Sequence, residues 1–294
     1  MDRIYLLFYK FAKILAESDS MLNKKLLFGL KNTIFFLDKK HRKFARANLD
    51  LVFKDSLTDL EKELLIKKTY HNLFFNLLDF ISTYGFSQDQ FLNKITFKNK
   101  QIIDDAISNN KKIIFFTGHY GNWEMLSLAL GTIHPSSVVG RDLDSQVMQE
   151  KIELLRQQFG VKLISSIGAV KSLIRDLNGG RNILLLTDQN IGSEKGLSYD
   201  FLGSKASHIT TVANLSRSQD AIIIPVFITT KDNKNYEIEF KDSFKCNNSD
   251  DRDLDIYECM LKQTKILEEQ ILKKPDEWFW LHRRWKAFNP DMYK

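Results

Sequence analysis

Only two cysteines and four prolines occur in these 294 residues. Cys246 and Cys259 form no CxxC pair and have no metal-like spacing, which argues against a cysteine-built metal site. A reducing, cytoplasmic-side setting is then the default. No proline falls within the first ninety residues, as long helices require. No apolar run reaches the length of about 20 residues that spans a bilayer. Lys10 and Lys13 interrupt "DRIYLLFYKFAKILAES", and Lys31 interrupts "LLFGLKNTIFFL". Neither stretch is followed by a small-residue cleavage site, so a signal peptide is not expected. There is no GxSxG elbow, no GxxxxGK[ST] loop, no HExxH helix and no GxGxxG after a strand. Internal repeats and low-complexity linkers are missing too.

What is present describes a globular chain with a real core, 43% apolar. The 22 phenylalanines fit a Phe-rich core, a hydrophobic pocket or a membrane-facing surface. Charge is unevenly spread. The first 50 residues carry eleven Lys/Arg against five Asp/Glu, which is the whole of the net +6. Such a local basic excess binds something anionic, and the form of the segment favours a membrane surface. Ile4, Leu7, Phe8, Phe11, Ile14 and Leu15 share one helical face, as in an interfacial amphipathic helix. A helix packed on its own domain with its lysines in water is the rival reading.

The first ninety residues read as helices over 3–17, 21–37, 41–53 and about 58–84, the last opened by a capping box of Thr58 and Glu61. From about residue 94 short β-rich runs alternate with helical segments, from "KITF" and "KKIIFFTG" to "SSVVG", "VKLI" and "RNILLLT". Gly160 and the pair Gly179–Gly180 stand where helices would end. Alternation of this kind predicts an α/β fold with a mostly parallel mixed sheet flanked by helices. "AIIIPVFIT" and "NYEIEF" would add an antiparallel pair, and a helix over about 252–273 leads to a Trp-rich tail. The expected organisation is a basic, membrane-associating helical extension over 1–90 and an α/β catalytic domain over 91–294.

The segment "FFTGHYGNWEML" places His119 at the end of a buried strand, before a helix capped by Asn122. Parallel sheets gather ligands at that rim. Glu124, in the first helical turn, is expected to reach back to the imidazole, fix its tautomer and make a general base of it. Amides around Gly121 and Asn122 would face an oxyanion, and Gly121 would let substrate approach the backbone. Arg141 and Asp188 follow two further strands and are expected on the same rim. A structural histidine beside an ordinary helix start is the alternative. His119 and Glu124 have no third ligand at metal spacing, so no metal is expected.

These residues resemble a known family. "GHYGNWE" is similar to the H-x4-D/E motif of glycerolipid-type acyltransferases, in the form carried by the bacterial lipid A biosynthesis acyltransferases that add lauroyl or myristoyl chains. "VVGRDLDSQVMQEKIELLRQQFGVKLI" resembles that family's arginine-bearing block, "LLLTDQNIGSEKGLSYDFLG" its D-Q block, and "KKPDEWFWLHRRWK" its ending. The likeness covers roughly 110–286. Two departures stand out: the lysine-broken N-terminal region, and Val139-Gly140-Arg141 where the family often has Tyr-Arg-Pro. The resemblance implies a glycerolipid acyltransferase-like fold and a cofactor-free acyl transfer. The donor would be an acyl carrier protein thioester and the acceptor a hydroxyl of a Kdo-bearing lipid A precursor, in lipopolysaccharide biosynthesis. His119 and Glu124 would be catalytic, Gly121 and Asn122 would serve the oxyanion, and Arg141, Arg156, Asp188 and Gln189 would bind substrate or brace the rim. The site of action would be the cytoplasmic face of the inner membrane, with peripheral or N-terminal attachment. Two rivals are an acyltransferase acting on a lysophospholipid or glycolipid, and a non-enzymatic lipid-binding surface protein. Nucleic acid is not an expected partner, because the chain beyond residue 50 balances to zero charge.

Overall fold

Along β2 (Ile113–Thr117) every residue is buried, and alternate side chains enter different cores: Ile114 and Phe116 one, Ile113 and Phe115 the other. β5 (Asn182–Leu186) does the same, with Ile183 and Leu185 on one side and Leu184 on the other. A strand covered on both faces reads as an unbroken apolar run, which is why "IIFF" and "ILLL" carry no polar alternation. The structure is a computed structural model; it describes residues 10, 13, 14, 20–141, 145–192 and 196–294, apart from the side chains of Lys24 and Met148. The helix expected over 3–17 therefore lies largely outside the described residues.

The remaining strands of the main sheet are β1 (Ile95–Lys98), β3 (Ser136–Gly140), β4 (Val161–Ser165), β8 (Ile222–Thr230) and β9 (Tyr236–Phe240). Their spatial order is β1-β9-β8-β2-β5-β3-β4. All neighbours pair parallel except β8 with β9, so the expected mostly parallel mixed sheet and its antiparallel pair are both present. A separate antiparallel hairpin, β6 (Leu197–Phe201) with β7 (Ser204–His208), was not foreseen from the sequence.

Before the sheet come α1 (Met21–Leu37), α2 (Lys39–Phe53), α3 (Asp59–Ser82) and the short α4 (Gln88–Leu92). Thr58 caps α3, accepting from the Glu61 amide while the Glu61 carboxylate accepts from the Thr58 amide. These helices share the cores of the sheet. Ala45, Leu49, Leu65 and Ile66 join Ile114 and Phe116, whereas Phe80 and Ile81 join Phe115. Hydrophobic packing is thus continuous across residue 90. Further helices are α5 (Gln101–Ser108), α6 (Trp123–Ile133), α7 (Gln146–Gln157), α8 (Ala169–Asn178), α9 (Thr211–Gln219) and α10 (Arg252–Lys273). Those with α6, α7 and α5 cover the Phe115 face; α8, α9 and α10 cover the Phe116 face.

Among the described residues no helix is long and apolar enough to cross a membrane. α1 nevertheless turns Met21, Leu22, Phe28, Phe36 and Leu37 to solvent. Lys31, which interrupts this apolar run in sequence, folds onto α3, where its Nζ lies 3.0 Å from His71 Nδ1.

Candidate active site

Adjacent parallel strands bring distant residues together at their shared ends. β2 and β5 pair through Thr117 and Leu186, and the Thr187 amide donates to the Thr117 carbonyl at 3.1 Å. Two residues beyond that pair, just past the end of each strand, His119 and Asp188 emerge side by side. His119 Nδ1 lies 2.7 Å from Asp188 Oδ1, and the His119 amide donates to Oδ2 at 2.8 Å. Trp278 Nε1 donates to the same Oδ2 at 2.7 Å. Gly118 makes room for this carboxylate, since a Cβ there would stand 3.0 Å from Oδ2.

Asp188 is only 3% exposed. Its burial works against ionisation, but the His119 charge and hydrogen bond, with His282 and Trp278 behind them, outweigh it and hold the carboxyl well below the usual range. An ionised partner on Nδ1 makes that nitrogen the donor, so Nε2 offers its lone pair at the rim. The exposed Gln189 side chain lies against it, Nε2 to Nε2, at 3.1 Å. Trp123 and Phe279 wall the imidazole, with ring centroids at 5.1 and 6.3 Å.

The expected contact between His119 and Glu124 is not made. Glu124 instead accepts from Arg156 of α7: Nε reaches Oε2 at 2.8 Å, and Nη2 reaches the other oxygen. The reason is geometric. The first turn of α6 aims Glu124 towards α7, while the neighbouring strand end supplies a closer carboxylate in Asp188. Arg156 accordingly spends its planar fork on a protein carboxylate rather than on the open rim. Burial lowers the Arg156 pKa, but Glu124 outweighs this and raises it overall.

The amide expected of Gly121 for an oxyanion is also committed, donating to the Glu277 carbonyl at 2.9 Å. Gly121 is required for another reason: φ is +57°, and a Cβ would lie 2.1 Å from the Ile228 carbonyl oxygen. Asn122 caps α6 as expected, its Oδ1 accepting from the Met125 amide, while its Nδ2 donates to the Asn76 carbonyl and the Tyr236 hydroxyl. Its side chain is therefore a buried fastening. Arg141 is exposed just beyond β3.

Sequence reading did not find the part played by the Trp-rich tail. The Phe279 amide donates to the His119 carbonyl at 3.0 Å, and the Asn190 amide, one residue past Gln189, donates to His282 Nε2 at 3.1 Å. The tail is itself held by α2 and α3. Asn48 donates to the Trp280 and His282 carbonyls, and Asn72 to the Asp276 carbonyl. A cluster of indoles in a polar tail did carry a signal, because buried tryptophan N–H groups must find acceptors.

The ensemble is a half-buried imidazole, oriented by an ionised carboxylate, with its second nitrogen at the rim against the exposed Gln189 side chain. Among the described residues no cluster of side chains suits a metal ion. In comparisons with known proteins, the chain is 22% identical to "Lipid A biosynthesis acyltransferase 2" of Shigella flexneri over 207 residues, 68% of this chain and 64% of that one. The match thus spans just under two thirds of that relative's length. It is 21% identical to "Lipid A biosynthesis palmitoleoyltransferase" of Escherichia coli (strain K12) over 252 residues, 85% of this chain and 80% of that one. The crystal structure of a 1-acyl-sn-glycerophosphate (LPA) acyltransferase from Thermotoga maritima is a loose likeness, with 11% identity and a TM-score of 0.39 over 85% of this chain and 98% of that one. The family model described as bacterial lipid A biosynthesis acyltransferase matches residues 8–287, and the chain belongs to that family.

Proposed function

We propose that this chain transfers a fatty acyl group from an acyl carrier protein thioester to a hydroxyl of a Kdo-bearing lipid A precursor. His119 is the general base, and Asp188 is its partner. The observation that carries this reading is the 2.7 Å contact between His119 Nδ1 and Asp188 Oδ1, which leaves Nε2 facing outward. Family membership supplies the reaction class.

In this mechanism His119 Nε2 takes the proton of the acceptor hydroxyl as its oxygen attacks the thioester carbonyl. A C–O bond forms, the carbonyl becomes a tetrahedral oxyanion, and the C–S bond then breaks. The departing thiolate recovers the proton from the imidazolium. A thiolate leaves readily, so no acyl-enzyme intermediate is needed. Asp188 stabilises the imidazolium and keeps Nε2 aimed. With the Gly121 amide engaged elsewhere, the oxyanion falls to the amides of Trp123 and Glu124 in the first turn of α6, which have no intrahelical acceptor. Gln189 has to yield Nε2 to the incoming hydroxyl. Arg141 meets a phosphate or carboxylate of the acceptor, whereas the Glu124–Arg156 pair fixes the angle between α6 and α7. The solvent-facing apolar side of α1, with the basic residues around it, rests on the anionic cytoplasmic face of the inner membrane.

The test is purified protein given acyl carrier thioester with and without the lipid acceptor, thioester loss and acylated lipid both being read by mass spectrometry. Wild-type protein consumes thioester only with the acceptor present and adds one acyl chain to it; His119→Ala does neither. Transfer by His119→Ala at the wild-type rate would overturn the base assignment. A preference for lysophospholipid over the lipid A precursor would overturn the acceptor.

A further inference from the structure

Sharing a small cavity with Asp188 lies a second buried charge. Arg284 is 1% exposed, and among the described residues no carboxylate reaches it at ion-pair distance. Its Nη1 donates to the Ser207 carbonyl at 2.6 Å, Nη2 lies 3.2 Å from His208 Nδ1, and the guanidinium stands 4.9 Å above the Phe201 ring. Nε has no hydrogen-bond acceptor. An arginine buried without a paired carboxylate is costly, so its retention needs a cause.

The surroundings supply one. Arg284, Asp188, Thr187, His208, Gln263 and Thr264 line a cavity of about 10 Å³, room for one water molecule. Two of its walls carry complementary orphans: the Arg284 Nε donor, and Gln263 Oε1, a buried acceptor with no donor. One water there can accept from Nε, donate to Gln263 and turn its other hydrogen to Asp188, so that all three needs are met at once. Asp188 Oδ1 takes only the His119 ring N–H, whereas Oδ2 already accepts two bonds, so the carboxylate has a lone pair to give.

We infer that Arg284, through a single water held in this cavity with Gln263, is a positioning residue for acyl transfer: a buried counter-charge that keeps Asp188 ionised and aimed at His119. The inference rests on the His119–Asp188 reading and adds to it a residue that does not touch substrate. Burial lowers the Arg284 pKa to about 10, against the opposing pull of Asp188, so the guanidinium stays charged at neutral pH. His208 faces it uncharged, its own pKa pushed down to about 3 by burial and by Arg284. The other titratable groups bearing on Asp188 are His119, directly bonded, and His282 on the tail. Tyr199 stacks on His208 and Tyr293 lies towards Arg284; both phenols are held neutral by burial.

Three variants of the full chain test this: Arg284→Gln, Arg284→Lys and Gln263→Met, with folding checked by near-UV circular dichroism. Arg284→Gln should lower kcat about 10- to 100-fold with KM little changed. Loss of the positive charge makes the carboxylate–imidazole pair easier to protonate, so the acidic limb of kcat/KM moves to higher pH. Arg284→Lys keeps the limb in place, since the charge remains. Gln263→Met removes only the water's acceptor; it should reduce kcat and shift the downfield proton resonance of His119 Nδ1–H. A folded Arg284→Gln with wild-type kcat and an unmoved limb overturns the inference. Where Arg284→Gln does not fold, an unchanged rate and resonance in Gln263→Met overturn it instead. Failure of the underlying reading looks different, because Asp188→Asn would then itself retain full activity.

Discussion

His119 and Asp188 stand 69 residues apart in sequence and 2.7 Å apart in space, with the imidazole, a backbone amide and an indole all converging on one carboxylate. An arrangement with that many donors fixes the carboxylate before substrate arrives. Replacing Asp188 by its isosteric amide keeps the shape and removes the charge. Asp188→Asn should lower kcat on the order of 10³-fold with little change in KM, because an amide can hold the wrong tautomer and cannot balance an imidazolium. Steady-state thioester assays decide it, and a fall of less than about threefold would remove Asp188 from the mechanism.

The Glu124–Arg156 pair makes a separate prediction. Both side chains are about four-fifths buried, with 21% and 18% exposure. Removing one partner strands the other charge. Glu124→Gln or Arg156→Met should each cost about 3 kcal/mol of unfolding free energy. The double variant should cost clearly less than the sum of the two. Urea denaturation of the four proteins measures the coupling; simple additivity would mean that the pair does not act as a unit.

Gly121 is constrained by backbone rather than by ligand. With φ at +57° and the Ile228 carbonyl oxygen where a Cβ would go, Gly121→Ala should destabilise the protein by at least about 2 kcal/mol. Thermal unfolding reads this directly, and an unchanged midpoint would show that the turn relaxes freely.

One buried histidine, His208, and one partly buried, His282, set a pH dependence of stability. Burial, reinforced for His208 by Arg284, depresses the pKa of His208 to about 3 and that of His282 to about 4. An unfolded histidine titrates near 6.5. Below that value the unfolded chain binds protons that the folded chain refuses, so stability is full above pH ~6.5 and falls as pH drops towards 4. With both groups titrating, the slope approaches ~2.7 kcal/mol per pH unit. Denaturant midpoints between pH 7 and 4.5 measure it. His282→Gln should flatten the slope by about half, and a flat profile in the parent protein would contradict the burial argument.

Periodicity and turn residues made most of the architecture legible. β2 and β5 stood out as short apolar, β-rich runs, and α1, α3 and α10 begin and end within a few residues of where caps and apolar spacing put them. The β6–β7 hairpin did not show, because "SKASH" is short and polar and its partner strand carries little alternation. At the site, the position of His119 at a strand end could be read locally. Its partner could not. Strand order is a property of the whole sheet, and nothing near residue 119 says that β5 rather than another strand lies beside β2. The carboxylate nearest in sequence, Glu124, drew the pairing, although the turn into α6 sends it to Arg156. Trp278 and His282 were hidden for the same reason, since a tail without regular structure gives no pattern from which its path can be drawn.

That tail has a temporal consequence. Asp188 receives one of its bonds from residue 278 and the turn after His119 is pinned by residues 277 and 279, so a nascent chain has to be synthesised past residue 279 before the His119–Asp188 pair can settle. α1 leaves the ribosome some 240 residues sooner. On the proposed function, membrane attachment through α1 would precede activity, and a polypeptide stopping short of residue 278 would reach the lipid without a working base.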